Sequence, residues 1–208
     1  MDYSQYKHMQ LRRKLLKLFG AEISITDTAS GAQIGFIKMK AWKLREDIRL
    51  YTDRSLSQEV MAIHARQIID FGATYDVSDS TSGVLIFSLR RKGLRSAFVR
   101  DFWEILDPTG TVVGAIEETS GQLALMRRWL SAINDIFGLI FAFVKQSYEI
   151  RYAAAGATQA VVGQIVHQKN PIIVKMALDT SMAPAGTDGR LTIAAGALLS
   201  IMDAVKNR

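Results

Sequence analysis

From Leu191 to Met202 every side chain is apolar or small, and the only breaks, Thr192, Gly196 and Ser200, recur at four-residue intervals as one thin stripe. A helix that is apolar on every face has to be buried on every face. Twelve helical residues rise only about 18 Å, short of the roughly 20 residues that a bilayer core requires, so protein is the better host. The segment Asp188–Lys206, capped near Asp188, is therefore predicted to be a helix wrapped by the rest of the chain. A closed sheet can wrap a whole helix, and the upstream sequence has the pattern of one.

That pattern is an alternation that repeats every 26 residues. Lys14, Lys40, Arg66 and Lys92 stand at this interval; so do Asp27, Asp53 and Asp79, with Asp107 two residues late. Alternating apolar pairs precede three of the aspartates: Ile23 and Ile25, Tyr75 and Val77, Trp103 and Ile105. Such period-two alternation marks strands with one buried face. Gly31, Gly83 and Gly110 follow the aspartates and a second apolar run follows each glycine, which predicts hairpins. The unit ending at Asp53 is a weak copy: Ile48 and Leu50 fall one residue out of phase and no glycine follows, so a bulge or a longer turn is expected there. A fifth copy runs through Ser147–Tyr152 and Gln159–Ile165, and a last strand lies near Pro171–Leu178. The leucines of Met9–Phe19 would suit a helix, but the place of Lys14 in the repeat favours a strand.

Residues 122–145 interrupt the repeat. Their apolar positions, among them Trp129, Ile133, Phe137, Ile140 and Phe141, recur at three-and-four spacing, the period of an amphipathic helix. We read one domain over 1–208 with a helical insertion.

Composition narrows the function. The chain is 49% hydrophobic and 22% charged, with three prolines, which argues against disorder. It has no cysteine, so disulfides, thiolate nucleophiles and cysteine zinc sites are excluded. A net charge of +6 and a pI near 9.6 favour anionic partners. The basic residues cluster without acids, as Arg12, Arg13 and Lys14 in one stretch and Arg90, Arg91, Lys92 and Arg95 in another, while Arg127 and Arg128 lie in the insertion. His8, His64 and His167 have no ligand spacing, and the isolated aspartates are explained by turn chemistry rather than calcium. Glu117 and Glu118 read as solvated acids at a strand end. No nucleotide-binding glycine loop, nucleophile elbow or zinc-protease helix motif occurs. Neither an enzyme nor a metal or cofactor site is expected, and the compartment expected is the cytoplasm.

The repeated strand-Asp-Gly-strand units, Trp103-Glu-Ile-Leu-Asp-Pro-Thr-Gly110, Arg127-Arg128, Lys169-Asn-Pro171 and Asp188-Gly-Arg-Leu-Thr-Ile-Ala-Ala195 together resemble bacterial phospholipid scramblase-related proteins. These are grouped with the LURP-one-related proteins and the Tubby C-terminal domain. The resemblance covers nearly the whole chain. It implies a mainly β, closed, mostly antiparallel Tubby-like barrel of about twelve strands around the C-terminal helix. It also implies phospholipid binding at a membrane surface. This chain offers no cysteine to acylate and no clear calcium loop, so lipid binding rather than lipid movement is the expectation.

The candidate headgroup residues are then Arg12, Arg13, Lys14, Arg90, Arg91, Lys92, Arg95, Arg127 and Arg128. Trp129, Ile133, Phe137, Ile140 and Phe141 are candidates for contact with the membrane or a partner. The expected partner is an anionic phospholipid surface at the inner face of the membrane. The alternative is a soluble scaffolding protein that forms a homo-oligomer through the inserted helix. Nucleic acid ranks last, because only Phe98 is interleaved with the second basic stretch.

Overall fold

The computed structural model describes residues 2–16, 20–39, 47–67, 72–92, 102–119, 146–153, 158–168 and 173–206. The strands are β1 (His8–Leu16), β2 (Gly20–Asp27), β3 (Gln33–Met39), β4 (Asp47–Tyr51), β5 (Glu59–Gln67), β6 (Thr74–Asp79), β7 (Leu85–Arg91), β8 (Phe102–Leu106), β9 (Val112–Glu118), β10 (Ser147–Tyr152), β11 (Ala160–Gln168) and β12 (Val174–Asp179). They are followed by one helix, α1 (Arg190–Lys206). Each strand is antiparallel to its neighbours in sequence order, and β1 closes on β12 with Arg12 opposite Lys175. Closure leaves no unpaired sheet edge.

Alternation builds the interior. Leu11, Ile23, Ile25, Ile48, Leu50, Val77, Ile105 and Ile150 all point inward and are fully buried, because residues two apart share a face. The segment 9–19 is indeed strand where it is described. The weak 26-residue unit is resolved as expected: the register shifts between Leu50 and Tyr51, and a longer turn leads to β5. Leu56 in that turn has φ 58°, the conformation that Gly31, Gly83 and Gly110 take in the other hairpins.

The helix fills the barrel. Leu191, Ile193, Ala194, Ala195, Ala197, Leu198 and Ile201 are all buried. Its small-residue stripe lies along β11, β12 and β1. A Cβ placed on Gly163 would come within 2.8 Å of Thr192 Oγ1, and one on Gly196 within 2.9 Å of Leu178 Cδ2. The glycines are there because wall and helix touch. Ser200 satisfies its hydroxyl within the helix, donating to the Ala197 carbonyl at 2.9 Å.

The two ends of the barrel differ. At the turn end lie the hairpin turns after β2, β4, β6 and β8, together with the start of α1. There the buried ring of Tyr3 donates its hydroxyl to the Ile34 carbonyl at 3.0 Å. The connections 17–19, 40–46, 68–71, 93–101, 120–145 and 169–172 join strand ends at the opposite, connection end, and they lie outside the described residues. So does the expected insertion at 122–145, with Arg127, Arg128, Trp129, Ile133, Phe137, Ile140 and Phe141; Arg95 also lies outside them.

Candidate functional site

Strand alternation divides the basic stretches. Arg12 and Lys14 are exposed on the outer face of β1, whereas Arg13 shares the inner face with Met9 and Leu11 and is 3% exposed. Arg13 is thus corrected as a headgroup candidate: consecutive strand residues point to opposite faces, so three basic neighbours cannot act together. Arg91 is corrected likewise, since it stands in register with buried Trp103 on the inner row.

Arg90 and Lys92 face outward but are matched by an acid. Arg90 Nε donates to Glu104 Oε2 at 2.8 Å, and Lys92 Nζ lies 3.1 Å from Glu104 Oε1. Burial pushes the Glu104 carboxyl up, yet the Arg90 and Lys92 hydrogen bonds outweigh it and hold its pKa below the ordinary value. The same matching recurs around the wall, with Arg66 at 2.7 Å from Asp76, Arg151 at 2.7 Å from Glu149, and Arg49 between Asp47 and Glu59.

One sector is different. Among the described residues, Arg12, Lys14, Lys38 and Lys175 enter no ion pair, and these four belong to adjoining strands. Arg12 stands opposite Lys175 on β12. Lys14 stands opposite Glu22 on β2, which in turn stands opposite Lys38 on β3. Glu22 is the one acid in this group, and it lies 4.0 Å from Arg54. Lys7, at the turn end, is likewise in no ion pair. Sequence reasoning missed Lys38 and Lys175. Hairpin register could have placed Lys38 beside Glu22, but only closure of β1 on β12 brings in Lys175.

The connection end of the interior is polar. Arg13, His167, Glu118 and Gln146 are all buried there, and each is engaged in interactions. Glu117 and Glu118 are not a solvated pair: alternation leaves Glu117 exposed and turns Glu118 inward. The carbonyl end of α1 points the same way, where cations are favoured by the helix dipole.

At the turn end a cavity of about 590 Å³ is lined by Asp2, Tyr3, Glu59, Asp79, Asp188 and Arg190, among others. Its acids are held by donors. Ser4 N–H donates to Asp2 at 2.8 Å, Arg49 and Ser80 donate to Glu59, and Arg190 donates to both Asp79 and Asp188. The Ser82 N–H and the Arg190 guanidinium hold Asp79 down at about 2, while burial pushes the Tyr3 hydroxyl up to about 12. At neutral pH Asp79 is therefore ionised and Tyr3 protonated. Among the described residues no three histidine or acidic side chains come together as metal ligands.

Comparison with family models, with characterised proteins and with solved structures finds no match to this chain. No helix among the described residues is long and apolar enough to cross a membrane.

Proposed function

We propose that this protein is a non-enzymatic, membrane-associated phospholipid-binding domain of the scramblase-related, Tubby-like kind that its sequence resembles, acting from the cytoplasm at the inner face of the membrane. The observation that carries the reading is the sector Arg12, Lys14, Lys38 and Lys175, the part of the described wall where four cations in no ion pair gather around a single acid, Glu22. A barrel filled by its own helix offers its outer surface, not its lumen, to a ligand. The +6 charge of the chain acts in the same direction.

Each basic residue near an anionic bilayer contributes about 1 kcal/mol, and this attraction fades with salt. Co-sedimentation with phosphatidylserine-containing and with neutral vesicles, at low and high salt, tests the reading. Salt-sensitive binding to the anionic vesicles alone is expected, weakened about 100-fold by the triple change Arg12→Glu, Lys14→Glu, Lys175→Glu. Equal binding to neutral vesicles would overturn it. So would capture of single-stranded RNA without any vesicle binding.

A further inference from the structure

A second cavity, of about 260 Å³, lies at the turn end and is lined by Lys7, Val162, Asp188, Gly189 and Thr192, among others. The N-terminal segment borders both cavities through Ser4. The end of β12 holds that segment in place: Thr180 donates its N–H to the Lys7 carbonyl at 2.8 Å and its hydroxyl to the Tyr6 carbonyl at 2.9 Å. Lys7 is thereby set at the rim.

The two cavities differ in charge. Four acids surround Arg190 in the first, whereas Lys7 and Asp188 are the charged side chains lining the second. Asp188 is already matched. Its Oδ1 accepts the Arg190 N–H at 2.9 Å and Nε at 3.0 Å, its Oδ2 accepts Nη2 at 2.7 Å, and Arg190 itself lines the first cavity and not the second. Among the described residues Lys7 enters no ion pair, so it is the charge here that lacks a counterion.

Thr192 points to the same chemistry from inside the barrel. It is 2% exposed and lines the cavity, yet among the described residues its hydroxyl makes no hydrogen bond. Ser200, further along the same stripe, turns its hydroxyl onto the Ala197 carbonyl; Thr192 does not use the helix in this way. A buried hydroxyl without a partner costs free energy that a bound group would recover. Thr192 is also the third residue of the 17-residue α1, at the positive end of the helix dipole. A free hydroxyl, an unmatched ammonium and a helix N-terminus on one cavity are the donors that an oxyanion takes. Val162, Ala183 and Pro184 add an apolar side, and the volume falls just below the roughly 300 Å³ at which sites for drug-sized ligands begin. The occupant is therefore small.

We infer that this cavity binds a small oxyanion, a carboxylate or phosphate group, with Thr192 and Lys7 as its donors. The site shares no lining residue with the Arg12–Lys175 sector and does not rest on the lipid-binding reading.

NMR titration of the full chain with sodium phosphate, and separately with sodium butyrate, tests the site against sodium chloride of matched ionic strength. Saturable shifts of the Gly189 and Thr192 amide signals are expected, with none in chloride. A response to phosphate alone would assign the cavity to phosphate esters, and a response to butyrate alone to carboxylic acids; either supports it. Thr192→Val and Lys7→Gln are each expected to weaken binding about fivefold. Lys7 is exposed, so its variant decides the matter even if valine disturbs the packing at 192. Failure of both anions to move Gly189 and Thr192, or an unchanged affinity in Lys7→Gln, would overturn the site. Shifts confined to Arg12, Lys14 and Lys175 would overturn it too, by showing that the outer sector alone takes anions.

Discussion

Arg190, the first residue of the buried helix, donates from Nη1 to Asp79 in the β6–β7 turn, 111 residues earlier in the chain. The same guanidinium also grips Asp188, whose carboxylate accepts the Arg190 N–H at 2.9 Å and so caps the helix. One side chain thereby fixes where α1 enters the barrel. Arg190 and Asp79 are 20% and 27% exposed, so the link is partly shielded from water. Replacing either by Ala is expected to lower stability by about 2 kcal/mol, the scale of a charge-assisted hydrogen bond. A double-mutant cycle in urea should return a coupling well above the few tenths typical of surface pairs; additive losses would show that the two residues act separately.

Acid should loosen this end of the barrel first. The Asp79 carboxyl titrates at about 2 when folded, held down by the Ser82 N–H and Arg190, and hydrogen bonds also lower Asp27, Asp53 and Asp107. A carboxyl with a depressed folded pKa adds stability that is fully present above its unfolded value, near 4, and is lost as pH falls through the folded value. Urea midpoints should therefore be flat down to about pH 5 and decline between about pH 4 and 2. Asp79→Asn should be less stable at neutral pH and show a shallower acid decline.

The turn between β4 and β5 holds Leu56 at φ 58°, where the neighbouring hairpins hold glycine. A left-handed conformation costs a residue with a Cβ about 1–2 kcal/mol, partly offset by the greater chain entropy that glycine loses on folding. Leu56→Gly is expected to raise stability by about 0.5 kcal/mol, and Leu56→Val to lower it by about 1 kcal/mol, as read from thermal midpoints. A loss with glycine would mean that the packing of this half-buried leucine outweighs the strain.

Gly114 on β9 lies against the backbone of β10, where an added Cβ would overlap Arg151 O and come within 3.0 Å of Tyr152 Cα. Backbone in a paired strand cannot turn aside as a side chain can. Gly114→Ala should cost about 3 kcal/mol, whereas Gly72→Ala, whose Cβ would meet nothing within 4 Å, should change stability by less than about 0.5 kcal/mol. Parallel denaturation of the two variants tests this.

Of the candidate site, only half was legible in the chain. Arg12 and Lys14 were named and remain, because a two-residue step keeps them on one outer face. Arg13 and Arg91 were drawn in by mere adjacency in sequence, and strand parity turns them inward. Arg90 and Lys92 were read as free charges, although Glu104 is already in reach on the next strand. Cross-strand neighbours depend on register, which a bulge such as the one at Leu50 and Tyr51 can shift by a residue.

What the sequence determined by itself is the strand-turn repeat and the burial of the last helix. Both rest on local rules: alternation assigns a face, aspartate and glycine make a turn, and a helix with no polar face must be enclosed. The tertiary structure decided which charges remain unmatched. Arg12 meets Lys175 across 163 positions only because the first strand closes on the last, and the sector they form with Lys14 and Lys38 exists only around that seam. An electrostatic surface is a sum over neighbours in space, and in a closed barrel the most distant parts of the chain become neighbours.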